Sequence, residues 1–180
     1  MFEVETKVLG VNKDDVKKKL EDLGASLIHN TKLSVDWYGP KGLKHNSDDP
    51  WYLRIRSYAE GKTELTWKSK SDQLGVSRII RELNFLLDDK EKMAELLEIL
   101  GLEKYAHQEK YRTSWTLKNW RIDIDQYPNM PAYMEIEGQS ENHIKEAIVL
   151  LQVNSYETNS GGERRLIQDK YKLDWYNLKF

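Results

Sequence analysis

Apolar and polar positions alternate with period two over residues 2–9, 33–38, 51–58, 63–70, 79–87, 109–118, 120–126 and 132–137. That alternation is the mark of a half-buried β-strand and predicts eight strands. Other segments carry the helical period instead. From Asn12 to Leu23, Val16, Leu20 and Leu23 fall at i, i+4 and i+7, with Asn12 placed to cap the start and Gly24 just past the end. Asp89 to Leu100 repeats the arrangement with Met93, Leu96, Leu97 and Leu100, and Gly101 follows. A third helix is predicted from about Ser140 to Val153, with Ile144, Ala147, Ile148 and Leu151 on one face. Residues 163–180 leave room for one more helix ending in an aromatic tail. A unit recurs: Glu3-Val4-Glu5, Glu82-Leu83-Asn84 and Glu135-Ile136-Glu137 each put two polar groups on one strand face, and a helix follows each. Short strands interspersed with helices predict an α+β fold whose strands form a sheet or a closed barrel. Pro40, Pro50, Pro128 and Pro131 sit in turn-like contexts, and no Pro/Gly/Ser-rich linker divides the chain, so residues 1–180 are expected to form one domain.

Composition narrows the function. Twenty-eight Lys and Arg against 30 Asp and Glu give a net charge of -2, without the basic excess of a general nucleic-acid binder. No run approaches 18 apolar residues, so no membrane span is expected. The segment MFEVETKVLG carries charges where a secretion signal needs an apolar stretch, and a cytoplasmic location is expected. The absence of cysteine removes disulfides, thiolate metal sites and a cysteine nucleophile.

The chemistry lies in how charges sort onto strand faces, since residues i, i+2 and i+4 point the same way. One face reads Glu3, Glu5, Lys7; others read Arg54 and Arg56; Glu64, Thr66, Lys68 and Lys70; Lys110, Arg112, Ser114 and Thr116; Arg121, Asp123 and Asp125; and Glu135 and Glu137. These could be the solvated side of an antiparallel sheet. Yet like charges paired on one strand gain nothing structurally, and they make sense around an object of both signs, such as a metal-bound phosphate chain. Carboxylate clusters suit Mg²⁺ or Mn²⁺ rather than zinc. Arg and Lys pairs suit phosphate oxygens. His29, His45, His107 and His143 show no metal-ligand spacing, lie outside the charged faces and read as core or surface filling. No Walker-type glycine loop, kinase signature or nucleophile elbow is present.

These residues resemble a known family. Glu3-Val4-Glu5-Thr6-Lys7 is similar to the ExExK signature of the CYTH domain, or triphosphate tunnel metalloenzyme, superfamily. Arg54-Ile55-Arg56 resembles its RxR strand, Leu65-Thr66-Trp67-Lys68 its LTxK strand, Arg81-Glu82 its mid-chain pair, Lys110-Tyr111-Arg112 its KxR strand and Glu135-Ile136-Glu137 its closing ExE. The likeness spans about residues 1–155 and leaves 156–180 as a C-terminal extension. It implies an eight-stranded antiparallel closed barrel with flanking helices and a charged tunnel. It also implies that Glu3, Glu5, Asp125, Glu135 and Glu137 hold Mg²⁺ or Mn²⁺. Lys7, Arg54, Arg56, Lys68, Lys70, Arg81, Lys110 and Arg112 would then grip a triphosphate, with Glu5, Glu137, Arg56 and Lys68 at the catalytic centre. Asn84 departs from the pattern, standing where relatives often carry an acid.

Hydrolysis of a triphosphate (tripolyphosphate, ATP or thiamine triphosphate) is the expected activity. The alternatives are a class IV adenylyl cyclase making cyclic AMP and pyrophosphate, and a non-catalytic polyphosphate or nucleotide binder. A monomer or homodimer, acting without nucleic acid or membrane, is expected. Trp175, Tyr176 and Phe180 are expected to pack on the domain rather than meet a partner.

Overall fold

Eight antiparallel strands close into a barrel in the computed structural model, which describes residues 2–180. In chain order the elements are β1 (Phe2–Leu9), α1 (Lys13–Asp22), β2 (Ser26–Pro40), β3 (Trp51–Tyr58), β4 (Thr63–Ser69), β5 (Asp72–Leu74), β6 (Ser77–Leu86) and α2 (Lys90–Ile99). They continue with β7 (Leu102–Leu117), β8 (Trp120–Gln126), β9 (Tyr133–Gly138), α3 (Glu141–Leu150), β10 (Thr158–Asn159), α4 (Glu163–Arg165) running into a π-turn (Leu166–Lys170), and β11 (Asn177–Leu178). Around the barrel the order is β1-β9-β8-β7-β2-β3-β4-β6, and the β1–β6 pairing closes it, with Glu5 opposite Arg78. Closure leaves no open edge along these strands.

The helix starts follow local chemistry. Asn12 accepts hydrogen bonds from the backbone of Asp14 and Asp15 at 2.9 and 3.3 Å, Asp89 from Lys92 at 2.9 Å, and Ser140 from His143 at 3.2 Å. Each cap satisfies backbone donors that the first turn leaves open.

The barrel is apolar outside and charged inside, apart from an inward apolar cluster where Val35 and Trp37 lie opposite Arg56 and Arg54. Val4 and Val8 of β1, Ile122 and Ile124 of β8, and Met134 and Ile136 of β9 meet Val16 and Leu20 of α1 and Ile144, Ala147 and Ile148 of α3. Leu97 of α2 covers Leu53 and Ile55 of β3. Ile122, Ile136 and Ile144 have no exposed surface, and burial of each contributes roughly 1.5–3 kcal/mol. Three helical faces therefore hold the wall from outside, freeing the inward positions for charge. The C-terminal segment packs back on the barrel, where Leu166, Ile167 and Trp175 join Leu33, Val35 and Trp37 of β2. Among the described residues no helix is long and apolar enough to cross a membrane.

Two strands exceed their predicted lengths. β2 starts at Ser26 rather than residue 33, and β7 at Leu102 rather than 109; the two pair along most of their lengths with register shifts at Leu27/His29 and Trp37/Tyr38. The first turns of β2 are mostly exposed and break alternation, so the apolar pattern does not reveal them. β5 is exposed at all three positions and carries no burial signal.

Candidate active site

A cavity of about 420 Å³ lies inside the barrel, within the range of small-molecule sites. Strand alternation supplies its lining: Glu3 and Glu5 from β1, Glu135 and Glu137 from β9, Arg54 and Arg56 from β3, Lys68 from β4 with Lys70 just past its end, and Lys110 and Arg112 from β7. These are most of the residues singled out from the sequence.

Three expected residues stand elsewhere. Arg81 sits on the outer, exposed face of β6, because its neighbour Glu82 takes the inward position; the inward guanidinium of that strand is Arg78. This corrects the expectation that Arg81 faces a bound phosphate. Asp125 is wholly buried behind the lining, where Arg112 Nε donates to it at 2.6 Å, Lys110 Nζ at 2.9 Å and the Tyr133 hydroxyl at 3.1 Å. Asp123, two residues earlier on the same face, lines the cavity instead. Lys7 is also sealed behind the lining, bridging Glu135 at 3.0 Å and Glu5 at 3.4 Å. The placements of Asp125 and Lys7 have one cause: alternation gives the face of a residue, not its depth in the barrel.

The acids fall into two electrostatic groups. Burial acts against Glu135, but Lys7, Arg112, Lys110 and Arg78 hold its carboxyl well below the usual range. Glu82 is likewise pulled down despite burial, by Lys68 and Arg54. Glu3 and Glu137 are the opposite case. Burial first, and the carboxylates of Glu82 and Glu137, push Glu3 up to about 8 against Lys68, whose ammonium is 3.8 Å away. Burial, together with Glu5, Glu135 and Asp123, pushes Glu137 up to about 7 against Arg121. These two acids lack sufficient positive charge nearby.

The cations divide in the same way. Arg112 is committed to Asp123 at 2.6 Å, Asp125 at 2.6 Å and Glu135 at 3.3 Å. Arg78 Nε donates to Glu5 at 2.7 Å. Arg54 and Arg56 each leave a buried Nε with no hydrogen-bond partner, although Arg56 Nη2 also reaches Glu64 at 3.3 Å. Burial and the guanidinium of Arg54 lower Arg56 to about 10. Arg54 lies 5.5 Å from the Trp37 ring and Arg56 5.7 Å from Tyr58, so both are held by aromatic faces as well as by strand geometry.

Several lining residues escaped the sequence reading. Arg78 sits outside any paired-charge motif. Glu163 arrives from the C-terminal segment, where it accepts from Lys110 at 2.9 Å and shares the Tyr133 hydroxyl, 3.1 Å away, with Asp125. Arg164 follows it with its guanidinium 3.8 Å over the Trp175 ring, and Trp175 packs on Trp37 with centroids 5.1 Å apart. His29 also lines the cavity, contrary to the expectation that the histidines stand apart from the charged faces. The early start of β2 brings it there.

The geometry and the wider comparisons agree. The CYTH domain family model matches residues 1–162. A Methanocaldococcus jannaschii protein provisionally named an adenylate cyclase is 28% identical over 138 residues, 76% of this chain and 77% of that one. A Vibrio parahaemolyticus structure with the same provisional name superposes with TM-score 0.78 at 14% identity, covering 93% of this chain and 98% of that one. A Hippeastrum protein, described as a provisional adenylyl cyclase with a dominant triphosphatase activity, superposes with TM-score 0.68 at 13% identity over 94% and 95% of the two chains. At such identities the structural likenesses are likenesses of fold. With a matched model over most of its length and a charged cavity inside a closed eight-stranded barrel, the chain belongs to the CYTH domain family.

Proposed function

We propose that the chain is a divalent-metal-dependent triphosphatase. One observation carries this reading: the same cavity holds a surplus of each sign. Arg54 and Arg56 present incompletely partnered guanidinium groups, while Glu3 and Glu137 are pushed far above ordinary carboxylates. A phosphate chain bearing a cation satisfies both at once, because its oxygens meet the arginines and its metal meets the acids.

The donor set fits Mg²⁺ or Mn²⁺, which take hard oxygen ligands. Among the described residues no three Asp, Glu or His side chains are gathered as a ready-made metal cluster. Arg78 and Lys7 occupy Glu5, and Lys7 and Arg112 occupy Glu135. Glu3 and Glu137 would hold the ion, joined by Glu135 and by Glu5 as Arg78 turns from it to phosphate. When bound, the ion neutralises phosphate charge and polarises the phosphorus centre.

The protein groups then divide the work. Arg54, Arg56 and Lys68 orient the chain and stabilise the charge that develops on the departing phosphate. Lys110 is freed for a phosphate when Glu163 yields it. Asp123 and Asp125 keep Arg112 rigid, so its guanidinium costs little reorganisation when substrate enters. The helices packed outside keep this arrangement fixed while water is displaced from within.

The names of the Methanocaldococcus and Vibrio relatives support a second reading, cyclisation of ATP. Incubation of the protein with tripolyphosphate, ATP and thiamine triphosphate in Mg²⁺ or Mn²⁺ separates the two by product. Orthophosphate release is expected. Cyclic AMP as the main product from ATP would establish the cyclase reading, and tight binding without turnover would make the barrel a non-catalytic binder.

A further inference from the structure

One row of paired residues crosses five strands. Lys7 of β1 lies opposite Glu135 of β9, Glu135 opposite Asp123 of β8, Asp123 opposite Ser114 of β7, and Ser114 opposite His29 of β2. The last three side chains form a hydrogen-bonded chain. The wholly buried Ser114 hydroxyl donates to Asp123 Oδ1 at 2.5 Å and stands 2.9 Å from His29 Nε2. A hydroxyl has one proton to give. With that proton on Asp123, the His29 contact requires Nε2–H to donate to the hydroxyl oxygen. The neutral ring therefore carries its lone pair on Nδ1, which makes no hydrogen bond among the described residues.

The surroundings make this ring a usable base. His29 lines the substrate cavity, and its ring meets the edge of Tyr58 with centroids 5.4 Å apart. The charged groups around it are Asp123 and Arg121 from β8, Arg112 from β7, Glu60 from the β3–β4 turn, and Lys62, which lies over Tyr58. Burial lowers His29 from its ordinary value; Asp123 and Glu60 oppose that, and Arg121 and Arg112 reinforce it. The ring is neutral at pH 7, as a proton acceptor must be. Asp123 is itself fixed by Arg112 Nη1 at 2.6 Å, so the relay has a rigid end. A base oriented by a second group that is held by a third is the general logic of activated attack.

Resting on the triphosphatase reading, we infer that His29 is the proton acceptor for the attacking water. In tripolyphosphate hydrolysis the water oxygen forms a bond to the terminal phosphorus, and its proton passes to Nδ1. The bridging P–O bond breaks, and its electron pair leaves on the pyrophosphate oxygen. The resulting imidazolium keeps its Nε2–H bond to Ser114, with the Asp123 carboxylate at the far end offsetting its charge. The proton later returns to solvent or to the product.

The pH dependence of kcat tests this, with tripolyphosphate and Mg²⁺ as substrates for the wild type, His29→Gln and Ser114→Ala. The wild type should show a one-proton acidic limb. His29→Gln should lose the limb and drop kcat by ~10²–10³-fold, within the range for a general base, with KM little changed. Ser114→Ala should keep the limb but move its midpoint lower. His29→Asn is the second variant should the Gln protein fail to fold. Nitrogen-15 spectra of the unliganded protein should show His29 as the Nε2–H tautomer, and an Nδ1–H ring would overturn the relay. A His29→Gln enzyme that keeps the limb, or that changes KM alone, overturns the base role while the triphosphatase reading stands. A wild type that hydrolyses no triphosphate overturns both.

Discussion

Replacing Glu137 with Gln should make the metal-free protein more stable at alkaline pH, the reverse of what removing a wall residue from a barrel ordinarily does. The side chain is pushed from 4.5 up to about 7, first by burial and then by Glu5, Glu135 and Asp123. The native state thus binds a proton that the unfolded chain releases. Stability is complete below the unfolded value near 4.5 and is lost as pH rises through about 7. At 1.36 kcal/mol per pH unit the shift corresponds to a ceiling of about 3 kcal/mol, and water entering the cavity brings the expected gain on neutralisation to roughly 1–3 kcal/mol. Glu3, raised to about 8, adds to the same trend. Urea unfolding in chelator at pH 5 and pH 8 is the assay. The wild type should be less stable at pH 8 than at pH 5, and Glu137→Gln should recover part of the difference. Mg²⁺ at 100 times its dissociation constant should stabilise the wild type by about 2.7 kcal/mol and the variant much less. A variant that is less stable than wild type at pH 8 in chelator would refute the claim that the positive charge near Glu137 is insufficient.

Glu5 should behave oppositely, because Arg78 and Lys7 both rest on it. Glu5→Ala strands a buried guanidinium and should cost about 3 kcal/mol in unfolding experiments, besides lowering turnover at least ~100-fold. Arg56→Ala should raise KM by ~10–100-fold, as loss of a charged hydrogen bond worth about 1.5–3 kcal/mol implies. It should leave thermal stability near wild type, since relief of repulsion from Arg54 offsets loss of the 3.3 Å pair with Glu64, which keeps Lys62 at 2.6 Å. Ile122→Ala, at a position with no exposed surface, should cost about 2–5 kcal/mol in denaturant titrations while leaving KM unchanged.

The residues that alternation placed on one face do share a face. Glu3 and Glu5, Arg54 and Arg56, Lys110 and Arg112, and Glu135 and Glu137 all reach the cavity, because period-two geometry leaves a strand residue only two directions. The helices were legible for a related reason: Asn12, Asp89 and Ser140 cap them as local chemistry requires. Depth was not legible. Asp125 and Lys7 share the inward faces yet lie behind the lining, since strand tilt and the size of neighbouring side chains decide which tips emerge. Arg78 and Glu163 were missed because neither belongs to a paired-charge motif, and the second arrives from a segment whose path is set by packing of Trp175 on Trp37. His29 was missed because the first turns of β2 are mostly exposed and show no alternation.

Diffraction from crystals holding Mn²⁺ and a non-hydrolysable triphosphate tests the central claim most directly. An anomalous peak is expected against the carboxylates of Glu3 and Glu137, with the phosphate chain lying along Arg54 and Arg56 inside the barrel. A triphosphate bound on the outer surface, or manganese lodged away from both glutamates, would contradict it.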